Sequence, residues 1–206
     1  MISGMGITPQ QFKQMEARLH RQPRAARAAV EPLSRAQTDL KRIILGVDPS
    51  LRGTGYGVIR TGKPNPVALA QGTISCPKDW ERSRCLAKIS QTLRDVLLAY
   101  SPEVCVMEGL FFAQNLKTAI VMGEARGAAM ATIAEAGLDI YEIATRKVKQ
   151  AIVGHGAAQK LAVAKMVQRM LNLAELPAPD AADALALALA HAQENSRYNF
   201  SPPKNI

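Results

Sequence analysis

Aromatic residues make up only 4% of this 206-residue chain, with one Trp, four Tyr and four Phe. A core built from stacked rings is excluded, so the 48% hydrophobic content must come mainly from Ala, Val, Ile, Leu and Met. Cysteine is scarce as well. Cys76, Cys85 and Cys105 stand far apart and form no C-x-x-C pair, which argues against a disulfide frame or a structural zinc site and fits small core residues in a reducing compartment. No apolar run reaches the roughly 18 residues of a membrane span, and the N-terminus lacks a continuous apolar stretch. Neither a spanning helix nor a secretory signal is expected. Acidic charge is the remaining shortage: 17 Asp and Glu against 26 Lys and Arg leave a net charge of +9. That balance favours a polyanionic partner.

The basic charge is unevenly spread. Residues 1–42 hold eight Lys or Arg against three acids, so more than half of the excess sits in an N-terminal arm. Within it, Thr8-Pro9 reads as a cap and first helical position, and Phe12, Met15 and Leu19 line one face of a short helix. Pro23 and Pro32 then interrupt a basic linker. An Arg-rich, acid-poor leader also matches an organelle transit peptide, although its serines are few. A cytoplasmic location is the expectation, with organelle targeting as the alternative. The main domain is expected over residues 43–195, and the tail, residues 196–206, is expected to be disordered.

From residue 43 the pattern reads β, β, β, α, β, α, β, α. Residues 43–47 and "EVCVM" are uniformly apolar, as in strands buried on both faces. Residues 54–61 and 67–75 flank the turn signal "TGKPNP". Leu86, Ile89, Leu93, Val96, Leu97 and Tyr100 recur at helical spacing, and the helix stops at Ser101-Pro102. A long helix over 115–136 ends at Gly137, the strand "LDIYEIA" follows, and helices are predicted over 145–152, 158–172 and 180–195. The result is an α/β protein, a five-stranded mixed sheet flanked by helices.

Two acids stand at strand ends: Asp48 closes "ILGVD" and Glu108 closes "VCVME". In open α/β sheets, sites form outside the carboxyl ends of strands. Taken singly, Asp48-Pro49 is a turn opener and Glu108-Gly109 a solvated strand end. Two more acids, Asp180 and Asp183 in "PAPDAADALALALAHAQ", are three apart and share a helix face. Alone they read as a cap and a capping-box partner that suits the helix dipole. If all four converged, they could not all remain ionised without cations. An all-oxygen set suits Mg²⁺ or Mn²⁺ better than zinc, and two such ions would clamp a phosphodiester for in-line attack. The glycines at 53, 55 and 57 do not make a dinucleotide loop, because a strand and not a helix follows them. They read as a tight connection between antiparallel strands with close backbone approach beside the acid.

"ILGVDPSLRGTGYGVI", "VCVMEGLFFAQN", "GEARGAAM", "ATRKVKQAIVGHGAAQK" and "PAPDAADALALALAH" together resemble the RuvC-type Holliday-junction resolvases, over about residues 43–193 and in one order. The resemblance implies an RNase H-like fold with Asp48, Glu108, Asp180 and Asp183 as catalytic and metal-binding tetrad. It further implies a homodimer that binds a four-way DNA junction and makes paired symmetric nicks by two-metal hydrolysis, leaving 5′-phosphates. Mg²⁺, replaceable by Mn²⁺, is the implied cofactor, and a branch-migration motor with its junction-binding subunit the implied partner. Alternatives are an RNase H-like nuclease with another substrate, a junction-binding protein that does not cut, and an ATP-binding protein of the actin or hexokinase kind.

Basic residues near helix starts grip phosphates without reading sequence. Lys149 and Lys160 match positions of the resembled family at the rim of the site. Arg146 is a further DNA-binding candidate, one helical turn from Lys149. Phe111 aligns with a family aromatic that approaches unpaired bases, whereas Phe112 reads as core. Gly109 and Leu110 depart from the commoner form of that segment. Ala119, Gly123, Gly127 and Ala131 make a small-residue ridge that lets another helix approach, within the domain or across the implied dimer. His155 and His191 have no metal-ligand partner at useful spacing.

Overall fold

The structure is a computed structural model and describes residues 41–109, 115–194 and 204–205. The helix expected in the basic arm, its linker, and both Phe111 and Phe112 lie outside those residues.

Strands β1 (Ile43–Asp48), β2 (Gly53–Arg60) and β3 (Val67–Ser75) come first, followed by helix α1 (Arg82–Tyr100) and β4 (Val104–Glu108). Then come α2 (Leu116–Glu135), β5 (Asp139–Ile143), α3 (Thr145–Val153), α4 (Lys160–Met170), α5 (Pro179–Glu194) and the two-residue β6 (Lys204–Asn205). The sheet order is β3-β2-β1-β4-β5-β6. The first three strands are antiparallel neighbours. β4 lies parallel to β1, and β5 parallel to β4. Parallel neighbours need crossovers, and α1 and α2 supply the helices in them.

The sheet thus has six strands where five were expected. Lys204–Asn205, from the tail, pairs antiparallel with Tyr141 and Glu142 on the outer edge of β5. A two-residue strand leaves no periodic pattern to read, and it is defined by the edge it covers.

Helix ends follow local chemistry. Ser101 adopts a left-handed conformation (φ 45°) and its N–H closes on Leu97 O, ending α1 just before Pro102. The Asn115 side chain caps α2 by accepting from Lys117 N, and Gly137 (φ 78°) takes the left-handed position after it.

Alternation along the strands divides the core in two. Leu45, Val47, Cys105 and Met107 face α1 and α2, where Ile89, Leu93, Ala129 and Ile133 bury them. Ile44, Val104 and Val106 face the other way, beneath α3, α4 and α5. On that second face α5 lies unusually close to the strands. A Cβ at Gly46 would collide with the Ala184 carbonyl, and one at Gly55 with the carbonyl of Asp180. The glycines at 53, 55 and 57 therefore belong to β2 itself. Residues 49–52 make the connection, while the glycines make room for a helix backbone. Among the described residues, no helix is long and apolar enough to cross a membrane.

Candidate active site

Asp48 and Glu108 end adjacent parallel strands, one step beyond the paired Val47 and Met107. By strand alternation both belong to the face that carries Ile44, Val104 and Val106, the face covered by α5. The first turns of α5 add Asp183, held there because Ala181, Ala182, Ala184 and Leu185 are buried against the sheet. Asp48, Glu108 and Asp183 line one cleft together with Thr145, Val148 and Lys149 of α3 and Lys160 and Val163 of α4.

Asp180 sits one turn earlier on α5 and does not line that cleft. Its carboxylate lies over the start of β2, where Oδ2 would be 2.8 Å from a Cβ on Gly53. Three of the four expected acids are thus brought together, and the fourth stands beside them.

Charge in the cleft is out of balance. Burial pushes the Asp48 carboxyl up to about 7, and the neighbouring Glu108 and Asp183 push in the same direction. Lys160 supplies part of the missing positive charge, with Nζ 2.7 Å from Asp183 Oδ2. That hydrogen bond, and the acids around it, raise the Lys160 pKa. The lysine is the first residue of α4, where a helix dipole disfavours a cation. Its partner across the cleft offsets that cost.

Lys149 lies one turn after Thr145 on α3 and lines the cleft, as expected of a rim residue. Arg146 does not line it. Its side chain packs over Gly156 in the connection to α4, within 3.1 Å of where a Cβ would stand. His155 is exposed in that same connection. His191 is buried against Tyr141, ring centroids 5.0 Å apart, and burial lowers its pKa.

Two residues around Glu108 were not singled out from the sequence. Thr145 Oγ1 donates to Glu108 Oε1 at 2.5 Å. Arg126, only 6% exposed, donates through Nη1 to the Glu108 carbonyl and through Nη2 to Glu142 Oε2 at 3.0 Å. A signal for Arg126 was present, because an arginine in the apolar stretch "GEARGAAM" needs a buried partner. Thr145 had no such signal, since a threonine opening a helix is ordinary.

An α/β fold whose adjacent strand ends and covering helix present carboxylates to one lysine-rimmed cleft defines a nuclease-like protein of the RNase H-like type. The family model for "Crossover junction endodeoxyribonuclease RuvC" matches residues 44–191, and the chain belongs to that family. It is 43% identical over 148 residues to the crossover junction endodeoxyribonuclease RuvC of Akkermansia muciniphila, covering 72% of this chain and 89% of the relative. The enzyme of that name from Thermotoga petrophila is 41% identical over 153 residues, covering 74% of this chain and 93% of the relative. Among solved structures, RuvC of Thermus thermophilus in complex with Holliday junction substrate superposes with a TM-score of 0.71 at 31% identity. That match covers 80% of this chain and 99% of the other. The yeast mitochondrial Holliday junction resolvase shares the fold, with a TM-score of 0.50 at 12% identity, covering 73% of this chain and 78% of the other.

Proposed function

We propose that this protein is a metal-dependent endonuclease that resolves four-way DNA junctions by paired, symmetric nicks with 5′-phosphate ends. One observation carries the reading: in a chain of the RuvC family, Asp48, Glu108 and Asp183 reach a single cleft from three separate elements, with Lys149 and Lys160 on its rim.

Family membership implies a divalent metal, and the donor set fits one. The acids offer only hard oxygen ligands, as Mg²⁺ requires and Mn²⁺ accepts. Burial, joined by repulsion from Glu108 and Asp183, drives Asp48 up to about 7, and a bound cation would offset both. Among the described residues, no three His, Cys, Asp or Glu side chains already stand at coordinating distance. The acids converge without forming a finished shell, so substrate and cation would draw them together. Asp48, Glu108 and Asp183 would hold the metal, with Asp180 one turn away completing a second position. When bound, the metal would activate water and stabilise the leaving oxygen of the phosphodiester.

The chain's own groups do the rest. Lys149 neutralises phosphate at the rim, and Lys160, once released from Asp183, does the same. Arg146 is better placed to meet DNA beyond the cleft than within it. Phe111 is assigned to the bases at the junction centre on the resemblance alone.

A homodimer is part of the proposal. Gly123 and Gly127 meet nothing within 4 Å where a Cβ would stand, and Ile120 and Met122 beside them are 51% and 43% exposed. The small-residue ridge of α2 therefore faces outward, as an interface with a second copy requires. Two-fold symmetry would set two clefts on two strands of like polarity. The branch-migration motor and its junction-binding subunit, a cytoplasmic location, and the basic arm as a source of non-specific DNA affinity complete the proposal.

The test is a four-way junction with a short homologous core, incubated with Mg²⁺ and the parent protein or Asp48→Asn. Symmetric nicks that disappear in the variant, with junction binding kept, are expected. Binding without cutting in any divalent metal would instead indicate an architectural protein. Preference for an RNA–DNA hybrid would indicate a different nuclease.

A further inference from the structure

The hydroxyl of Thr145 reaches a proposed metal ligand from outside the acidic set. Threonines within helices ordinarily bond back to a carbonyl one turn earlier, as Thr132 Oγ1 does to Ala128 O at 2.8 Å. Thr145 opens α3, so no helical carbonyl precedes it by a turn. Its hydroxyl crosses to the neighbouring strand end and donates to Glu108 Oε1.

Two further bonds at this corner act on the main chain of Glu108 and its neighbour. Arg126 grips the Glu108 carbonyl, and Gly109 N donates to Ile143 O at 2.9 Å. Those bonds fix where β4 ends and do not reach the Glu108 carboxylate. Asp48 stands beside the Glu108 carboxyl as a neighbouring acid, and both are offered to the same cleft. Thr145 carries no charge and reaches that carboxylate through one donated hydrogen bond.

We infer that Thr145 is a positioning residue, which engages one oxygen of Glu108 and turns the other toward the cation site. The inference rests on the metal-site reading above. Partners one step behind a metal ligand characteristically alter affinity by about ten- to a hundredfold. Thr145→Val keeps the shape and removes the donor, Thr145→Ala removes it while suiting a helix better, and Thr145→Ser restores it.

The experiment is Mn²⁺ binding by the full-length protein without DNA, followed by electron paramagnetic resonance. Metal-free thermal unfolding and junction binding in the absence of metal are measured alongside, together with the Mg²⁺ dependence of junction cleavage. Val and Ala variants should bind Mn²⁺ about tenfold more weakly and need correspondingly more Mg²⁺ to cut, with metal-free junction binding near the parent's. Ser should recover both. Parent-like Mn²⁺ binding by Val and Ala would overturn the inference, as would a loss that Ser does not repair. Should Val fail to fold, Ala carries the comparison. A parent that binds Mn²⁺ but cuts no junction would sink the nuclease reading and still leave the role of Thr145 decided by the Mn²⁺ series.

Discussion

The two faces of the sheet are packed by different means. Toward α1 and α2 the strands present Leu45, Val47 and Met107, which meet Ile89, Leu93 and Ile133 as full-sized side chains. Toward α5 they present Ile44, Ile59 and Val106, but also Gly46, Gly55 and Gly57, which admit the Ala184 and Asp180 carbonyls and Leu185. The first face is an ordinary core, where separation is set by side-chain volume. On the second, separation is set by the helix backbone, and that closeness carries Asp183 to the strand ends where Asp48 and Glu108 stand. Both faces bury apolar side chains, but only the second also sets the geometry of the site.

The comparison predicts that activity and stability separate. Asp48→Asn should lower junction cleavage by about a hundredfold or more, because an amide cannot replace the charge offered to a cation. The same change should stabilise the metal-free fold. Asp48 ordinarily titrates at 3.8 but at about 7 in the folded chain, so its acid form is the favoured one there. Its contribution is fully present below 3.8 and is lost as the pH rises to about 7. The advantage of Asp48→Asn should therefore grow across that window and stay level above it, as urea denaturation at several pH values would show.

Leu93→Ala removes a fully buried side chain from the α1 and α2 face. It should cost about 2 to 5 kcal/mol in urea denaturation, with cleavage per folded molecule unchanged. Gly46→Ala, on the other face, should cost at least about 1 to 3 kcal/mol and also reduce cleavage by folded protein, because α5 must move off the strands. Unimpaired cleavage by a folded Gly46→Ala protein would refute the proposed division of labour. The smallest effect belongs to the surface. Arg94 and Glu135 pair at 3.3 Å with both side chains well exposed, and replacing either should change stability by about 0 to 1 kcal/mol and leave cleavage untouched.

Much of the fold was legible because local periodicity and tertiary burial agree. Strands 43–47 and 104–107 alternate between two buried faces, so they read as uniformly apolar. Helices α1 and α2 stop where Ser101-Pro102 and Gly137 oblige them to. Asp48 and Glu108 could be placed at strand ends from their neighbours alone, and alternation even assigns them one face. The tail strand was not legible, because two residues carry no period. The roles of Gly55 and Gly57 were read only in part. Their smallness is visible in the sequence, but the helix they admit begins more than a hundred residues later.

By itself, then, the sequence determined the elements, the strand-end acids and the family pattern, since each depends on residues close together in the chain. Only the tertiary structure decided which acids meet. Asp183 enters the cleft while Asp180, three residues away on the same helix, lies over β2. Lys149 lines the cleft and Arg146 turns to Gly156. Thr145, unremarkable where it opens α3, reaches Glu108 from 37 residues away along the chain. These outcomes depend on the distance and rotation between helices and the sheet, and for α5 that distance is fixed where glycine backbones and an alanine-rich helix touch.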